Sequence, residues 1–186
     1  MHNSVFNFIR QNLKPSEIEG MRILEIGSLN VNGSPREIID SLKPSMYVGI
    51  DIQDGTGVNL IMSAEHLYSV FAPLSFDGIV CTETLEHVKD WRQVIDQIKY
   101  VLRPGGWIIL TCRAPGYKVH DYPGDYWRFT IDDLARIFAD MDVKVLISDS
   151  ELKGSFIKVN KPLPVFLTSI NPIAINVDED SNSRTL

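Results

Sequence analysis

The sequence has few cysteines, no long apolar run and no excess of positive charge. Its 186 residues include only Cys81 and Cys112, which excludes a disulfide-rich secreted domain and favours a reducing compartment. No apolar stretch approaches the roughly 18 residues that span a bilayer, and the first residues lack the apolar segment of a signal peptide. A net charge of −6 provides no positive field for nucleic acid. We therefore expect a cytoplasmic protein without membrane or nucleic-acid partners.

The composition is that of one folded domain followed by a tail. Hydrophobic residues make up 44% and charged residues 23%, which is typical of a globular chain. Residues 1–160 are predicted to form a single domain. Residues 161–186 contain three prolines and end in a polar run, so we expect an extended arm with a disordered tip. The apolar part of this arm could join two copies of the chain in a homodimer.

Four continuous apolar runs indicate strands that are buried on both faces. They read RILEIG, YVGID, FDGIVCT and GWIILTC. Helix-like segments lie between them at 35–42, 65–71 and 90–102, the last of which should be stopped by the RPGG sequence at 103–106. A short strand is also predicted within 58–62. Strands that alternate with helices predict a mostly parallel sheet with helices on both faces.

The alternation breaks after the fourth run. Thr130 can cap a helix whose apolar face includes Leu134 and Phe138. Residues 143–147 and 155–159 then predict an antiparallel pair of strands at the edge of the sheet.

The loop after the first strand and the end of the second strand together predict a nucleoside ligand. Gly27 closes the first strand, and the next residues lead to a helix that Pro35 can begin. Such a loop would present free backbone N–H groups and a helix N-terminus to an anionic group. Asp51 ends the second strand, where a carboxylate can accept hydrogen bonds from both hydroxyls of a ribose.

These motifs, in this order, resemble the class I S-adenosylmethionine-dependent methyltransferases. The similarity is carried by ILEIGSLNVNGS, YVGID, FDGIVCTETLEHV and LRPGGWIILT, and it covers about residues 22–111, with weaker similarity to 159. It implies a Rossmann-like α/β fold with a seven-stranded sheet in the order 3-2-1-4-5-7-6, in which strand 7 is antiparallel. It also implies S-adenosylmethionine as the cofactor.

The resemblance places the cofactor's methionine end near Glu25 and Gly27, its ribose at Asp51, and its adenine beside residues 63–65. The transferred methyl should lie beside the segment that follows the fourth strand. The complete predicted cofactor site is Glu25, Gly27, Ser28, Asn30, Asp51, Ile52, Ser63, Ala64, Glu65, Thr82 and Glu83.

A segment rich in aromatic residues, 116–130, is predicted to form the acceptor pocket. It follows the fifth strand directly and could fold over the methyl-transfer site, where its aromatic rings would exclude water. The predicted acceptor-binding residues are Tyr117, Tyr122, Tyr126, Trp127 and Arg128. A lid packed only for stability, with Arg128 paired to Asp125, is the structural alternative.

Two histidines are candidate catalytic residues. His120 is the best candidate for a general base, oriented by the adjacent Asp121, because an unperturbed imidazole titrates near neutral pH. His87 is a second candidate, with a surface or helix-capping role as the alternative. Four scattered histidines without C-x-x-C or H-x-x-x-H spacing predict no metal site.

The leading functional prediction is methyl transfer to a small hydroxylated or carboxylated acceptor, such as a sugar or glycan precursor. A methyltransferase-like binding or scaffold protein without activity is the alternative. A nicotinamide-dependent oxidoreductase ranks third, because the chain lacks the G-x-G-x-x-G spacing that brings backbone close to a pyrophosphate.

Overall fold

The computed structural model describes residues 2–120, 124–150 and 153–164. Helices and strands alternate along this part of the chain. In chain order they are α1 (Asn3–Asn12), β1 (Arg22–Ile26), α2 (Arg36–Asp40), β2 (Met46–Asp51), β3 (Leu60–Ile61), β4 (Phe76–Thr82), α3 (Trp91–Val101), β5 (Leu102–Arg113), α4 (Ile131–Ile137), β6 (Asp142–Asp149) and β7 (Gly154–Asn160). Short 3-10 segments occupy Pro15–Glu17, Ala64–Ser69 and Leu85–His87.

The strands form one seven-stranded sheet in the order β3-β2-β1-β4-β5-β7-β6. Strands β1 to β5 pair in parallel, whereas β7 pairs antiparallel with both β5 and β6. This confirms the order and the antiparallel strand that the resemblance implied. Because the strand order reverses between β1 and β4, the crevice expected to bind ligands lies at the carboxyl ends of these two strands.

Helices cover both faces of the sheet, as predicted. Ile79 and Cys81 of β4 belong to the core under α3 and α4, whereas Val80 of the same strand belongs to the core under α1 and α2. Successive residues of a strand point to opposite faces, so both sets must be apolar where both faces are covered. This explains the continuous apolar run. Both cysteines are buried and form no disulfide.

Helix α1 is an element that the sequence analysis did not assign. Its buried residues Val5, Phe8 and Ile9 follow the i, i+3, i+4 spacing of one helix face. The Phe8 ring packs against Phe156 of β7, with ring centroids 5.3 Å apart. Helix α1 therefore covers the face of the sheet on which Phe156 lies, a part of the sheet outside the four predicted apolar runs.

The helix before segment 103–106 ends where it was predicted to be stopped. Helix α3 ends at Val101, and the residues of the RPGG sequence already belong to β5. The pairing of β4 with β5 shifts its register between Phe76 and Gly78, which accommodates the extra residues. At Gly106 a Cβ would lie 2.8 Å from the carbonyl oxygen of Asp77, so only glycine fits. The strand can continue through this irregular stretch because Gly106 has no Cβ that would meet the Asp77 carbonyl.

The carboxyl-terminal part of the domain follows the sequence prediction closely. Thr130 caps α4: its hydroxyl accepts the N–H of Asp133 at 3.1 Å, while the Asp133 carboxylate accepts the N–H of Thr130 at 2.8 Å. The predicted antiparallel pair corresponds to β6 and β7. Strand β6 forms the edge of the sheet, and β7 lies inside it, between β5 and β6.

None of the helices in the described part of the chain is long and apolar enough to span a membrane. The arm is described only as far as residue 164, and its remainder lies outside the described residues. The homodimer predicted through that arm stays a prediction.

Candidate functional site

The crevice between β1 and β4 is closed at its base by Gly27 and Thr84. Gly27 has a φ of +75°, and a Cβ there would lie 2.0 Å from the Thr84 side-chain oxygen. The Thr84 hydroxyl donates to the carbonyl oxygen of Thr82 at 2.9 Å, which holds this side chain in place. Glycine is required at position 27 both by the left-handed backbone and by the close approach of the second loop.

The loop that follows Gly27 does not present the free N–H groups that the sequence analysis expected. The N–H groups of Gly27 and Ser28 both donate to the Ile50 carbonyl at 3.0 Å, and that of Asn30 donates to Thr56 at 2.8 Å. The N–H of Leu29 donates to Asp51 at 3.1 Å. The N–H groups of residues 27–30 are therefore not free, because the loop folds back onto the end of β2, and the anion site at the helix N-terminus stays a prediction.

The side chains of the loop are also turned inward. Ser28 is buried and packs against Gly49 of β2, where an added Cβ would meet its hydroxyl at 2.7 Å. The Asn30 side-chain oxygen accepts the N–H of Gly33 at 2.8 Å. These two residues shape the loop, and the buried Ser28 hydroxyl has no hydrogen-bond partner among the described residues.

Asp51 lies at the carboxyl end of β2, where the sequence placed it. Its Oδ2 accepts the N–H of Leu29, and its Oδ1 accepts the N–H of Gln53, each at 3.1 Å. A carboxylate offers about four lone-pair sites, so each oxygen can still accept one further hydrogen bond. The two backbone donors fix the carboxylate in orientation while leaving it able to bind a pair of hydroxyls.

Exposed apolar side chains flank Asp51. Ile52 is 52% exposed and Ile61 is 62% exposed, and Ile61 is the β3 partner of Asp51 in the parallel pairing. Neighbouring exposed isoleucines at the ends of two strands form a surface that an apolar ring can cover. The sequence analysis named Ile52 and missed Ile61, although the register of two parallel strands would have paired it with Asp51.

The segment from Ser63 to Glu65 is fixed by hydrogen bonds to α3. Ser63 caps the 3-10 segment by accepting the N–H of Glu65 at 3.2 Å. The Glu65 carbonyl in turn accepts the side-chain amide of Gln93 at 2.8 Å. Ala64 is buried between them. The segment therefore forms a rigid rim beside β3.

Glu25 lies on the opposite face of the sheet from the α3 core, under α2. Its carboxylate accepts the hydroxyl hydrogen of Tyr47 at 2.9 Å and that of Ser34 at 3.4 Å. Burial raises the pKa of Glu25 to about 7, although these two hydrogen bonds and Arg36 favour its ionised form. Glu25 thus connects β1 to Ser34, just before α2, and to Tyr47 of β2. We expect it to act on the predicted ligand by positioning the loop after Gly27.

The end of β4 leads into a buried charged pair. Thr82 is buried, and Glu83 has a φ of +52°, which turns its carboxylate toward β5. There it forms an ion pair with Arg113 and accepts the hydroxyl hydrogen of Thr111 at 3.1 Å. Glu83 is therefore committed to protein partners.

Glu86 is a residue that the sequence analysis did not single out. Its side chain is fully buried, and neither carboxylate oxygen has a hydrogen-bond partner among the described residues. The nearest cation is Arg113, whose Nε lies 4.0 Å from Oε1. Burial raises the pKa of Glu86 to about 8, and the neighbouring Glu83 contributes to this. The only sequence signal for it was its position just beyond a fully buried strand.

The segment after β5 folds over the 3-10 segment that contains Glu86, as predicted. The N–H of Tyr126 donates to the Glu86 carbonyl at 2.9 Å. The Trp127 indole N–H donates to the Val88 carbonyl at 3.0 Å. Tyr126 and Trp127 nevertheless remain exposed at their outer edges. Tyr122 and Asp121 lie outside the described residues, so their predicted roles stay predictions.

Arg128 is held inside this segment. Its guanidinium pairs with both carboxylate oxygens of Asp125 and donates to the Lys118 carbonyl at 3.1 Å. Asp125 is itself completely buried. This is the packed arrangement that the sequence analysis gave as its structural alternative, and it leaves Arg128 few donors for an acceptor molecule.

His87 and His120 come together in the space next to Glu86. Their ring centroids are 4.6 Å apart, and Tyr117 packs edge-on against His120 at 5.2 Å. His87 Nδ1 donates to the Gly124 carbonyl. Burial and the proximity of His87 lower the pKa of His120, which keeps this ring neutral at pH 7. Oδ2 of Asp125 accepts the backbone N–H of His120 at 2.8 Å and lies 3.1 Å from Nδ1, which has no hydrogen-bond partner in the described part of the chain.

Comparison with known proteins identifies similar sequences. Residues 32–110 match a family model described as a methyltransferase domain. A ubiquinone biosynthesis O-methyltransferase from Paraburkholderia phymatum is 29% identical over 106 residues, which cover 52% of this chain and 46% of that protein. A phthiotriol/phenolphthiotriol dimycocerosates methyltransferase from Mycobacterium ulcerans is 24% identical over 81% of this chain and 59% of that protein. The chain thus spans about half the length of these relatives.

Solved structures show the same fold. The 1,6-didemethyltoxoflavin-N1-methyltransferase from Burkholderia thailandensis, solved with S-adenosylhomocysteine, superposes with a TM-score of 0.67. The superposition covers 87% of this chain and 78% of that one at 12% sequence identity. At such low identity the likeness concerns the fold.

Proposed function

We propose that this chain, which carries a class I S-adenosylmethionine-dependent methyltransferase domain, transfers a methyl group from S-adenosylmethionine to an oxygen of a small molecule. The observation that carries the proposal is the position of Gly27, Asp51 and the 63–65 rim. They lie at the carboxyl ends of the neighbouring strands β1, β2 and β3, beside the point between β1 and β4 where the strand order reverses. The cytoplasmic location expected from the cysteine content is part of the same proposal.

The cofactor is proposed to lie across the ends of β1, β2 and β3. Asp51 accepts hydrogen bonds from the two ribose hydroxyls with the lone pairs that its backbone donors leave open. Ile52 and Ile61 contact the adenine, and the 63–65 rim borders it. The sulfonium then lies above Gly27, at the base of the crevice. The reaction needs the acceptor oxygen in line with the S–CH3 bond at about 3 to 3.5 Å.

The acceptor is proposed to bind between the end of β4 and the segment after β5. Tyr117, Tyr126 and Trp127 supply aromatic surface there, and the two histidines supply polar groups. The relatives that match this chain are named for quinone and lipid acceptors, and an acceptor hydroxyl or carboxyl group fits both. The sugar or glycan precursor predicted from the sequence is a further member of the same acceptor class.

Titration of S-adenosylhomocysteine tests the cofactor part of the proposal. Isothermal titration calorimetry should detect binding to the full chain, and Asp51→Ala should weaken it by about 1 to 3 kcal/mol because the ribose hydroxyls lose a charged acceptor. Asp54→Ala is the matched control, since this aspartate is exposed in the same loop. Equal affinity of the two variants for S-adenosylhomocysteine would show that Asp51 does not bind the ribose.

Transfer of a labelled methyl group tests the activity. The panel should contain a catechol, a fatty acid and a free sugar, each incubated with labelled S-adenosylmethionine and followed by mass spectrometry of the product. Methylation of any of these at oxygen supports the proposal and identifies the acceptor class. Binding of S-adenosylhomocysteine without turnover on any acceptor would instead support the binding or scaffold protein.

A further inference from the structure

We infer that Glu86, His87 and His120 form a binding site for one divalent transition-metal ion. One possible ligand atom of each residue lies within 4.8 Å of those of the other two. No metal site was predicted from the sequence, because its histidines and cysteines lack the short, regular spacings of common metal motifs. The fold brings this set together from two segments, Leu85–His87 and the stretch after β5.

Glu86 provides the first argument. A fully buried carboxylate normally has hydrogen-bond donors or a paired cation, since burial of an isolated charge is costly. Neither oxygen of Glu86 has a hydrogen-bond partner among the described residues. The nearest guanidinium, that of Arg113, is ion-paired with Glu83 and stacks at 4.1 Å over the Tyr117 ring. A bound dication would supply a closer positive partner than Arg113, whose Nε lies 4.0 Å from Oε1 of Glu86.

The orientation of the histidines provides the second argument. A histidine that binds a metal usually donates its other N–H to a carbonyl or carboxylate, which fixes the tautomer. His87 donates from Nδ1 to the Gly124 carbonyl. Nδ1 of His120 is not hydrogen-bonded within the described residues, but it lies 3.1 Å from the buried carboxylate of Asp125, whose negative charge favours a proton on that nitrogen. Both rings therefore keep Nε2 as the nitrogen with a free lone pair.

The chemistry of the ligand set selects the type of ion. Two imidazoles and one carboxylate suit Zn²⁺ or Fe²⁺, whereas Ca²⁺ and Mg²⁺ prefer oxygen ligands. Metal–nitrogen distances of about 2.0 to 2.1 Å require the three ligand atoms, which lie within 4.8 Å of one another, to come closer together. His120 is half-exposed, which gives its ring room for this movement.

Three protein ligands leave a coordination position open. If the proposed methyl transfer holds, an acceptor oxygen can fill that position, because the site lies just beyond the carboxyl end of β4. His120 then holds the ion, and this replaces the prediction that it acts as a free general base. The binding of the ion itself does not depend on the proposed function.

Zinc titration of the full chain, after treatment with a chelator, tests the inference. Calorimetry should give one Zn²⁺ per chain, and the affinity should fall at least tenfold in His87→Asn and His120→Asn. Glu86→Gln should have the same effect, because the neutral amide keeps the size of the side chain and removes its charge. His66→Asn is the matched control, since His66 is exposed and outside the cluster. Co²⁺ absorption provides an independent measure of coordination.

The outcomes separate this inference from the proposed function. Thermal melts identify any variant that fails to fold. If Glu86→Gln fails to fold, the test still stands on His120→Asn, which alters a partly exposed side chain. Absence of stoichiometric Zn²⁺ binding, or equal binding in His120→Asn and the wild type, would overturn the inference. If the chain binds S-adenosylhomocysteine but not Zn²⁺, the metal site is overturned and the proposed function is not. If it binds Zn²⁺ but not S-adenosylhomocysteine, only the proposed function is overturned.

Discussion

Replacing Gly27 with alanine should destabilise the protein by two separate effects. The first is the left-handed backbone: φ is +75° at this position, and an L-residue there costs about 1 to 2 kcal/mol. The second is steric, because the new Cβ would lie 2.0 Å from the Thr84 oxygen and 2.8 Å from its methyl carbon. Relief of such an overlap typically costs a further ~1 to 3 kcal/mol. We expect a total loss of about 2 to 5 kcal/mol.

Gly20→Ala separates the two effects. Gly20 has a φ of +72°, almost that of Gly27, but a Cβ added there would have no heavy atom within 4 Å beyond its chain neighbours. This control should therefore show the backbone cost alone. Urea denaturation of the two variants measures the difference, which is the cost of the contact with Thr84. Equal destabilisation in both would refute the close approach of the two loops.

Thr84→Ala in the Gly27→Ala background provides a second check. It removes the side-chain oxygen and the methyl group that the new Cβ would overlap, leaving only the Thr84 Cβ at 2.9 Å. The double variant should recover part of the lost free energy of unfolding. Because Gly27 lies below the proposed sulfonium, Gly27→Ala should also weaken S-adenosylhomocysteine binding, whereas Gly20→Ala should not.

Two further predictions concern stability. Glu25 keeps its proton in the folded state up to a pKa of about 7 but loses it near 4.5 when unfolded, so its contribution to stability falls as pH rises between these values. Glu25→Gln should remove this pH dependence. In urea titrations, the free energy of unfolding of the variant should rise by about 3 kcal/mol relative to that of the wild type between pH 4.5 and pH 8. A difference between the two proteins that does not change with pH would contradict the burial argument. Thr130→Ala should lower the free energy of unfolding by about 1 kcal/mol because α4 loses its cap, while Thr130→Ser should retain it; equal losses would show that the hydroxyl does not act as the cap.

The sheet could be predicted because its strands carry their own signal. Where both faces of a parallel sheet are covered, nearly every residue of a strand must be buried, and the run that became β4 shows this without exception. Helix α1 has the same kind of signal in Val5, Phe8 and Ile9, but it lies outside the ordered set of motifs that carried the resemblance.

The site was less predictable, because side-chain partners depend on contacts between distant segments. Asp51 was predicted from its position at a strand end, and the structure places it at the end of β2, while its role toward the ribose stays a proposal. The ion pair of Glu83 with Arg113 arises from the pairing of β4 with β5, which brings the ends of the two strands together. The contact of His87 with His120 arises only when the segment after β5 folds back over the end of β4. The inward-turned loop after Gly27 was mispredicted for the same reason, since its acceptors lie on β2 and in the following loop.

The central claim is that the ribose of S-adenosylmethionine binds to Asp51 at the carboxyl end of β2. A crystal structure of the full chain with S-adenosylhomocysteine tests it most directly. We predict both ribose hydroxyls within hydrogen-bond distance of the Asp51 carboxylate, the adenine against Ile52 and Ile61, and the sulfur above Gly27. A cofactor bound elsewhere, or strand ends that remain covered by the chain's own side chains at saturating ligand, would contradict the claim.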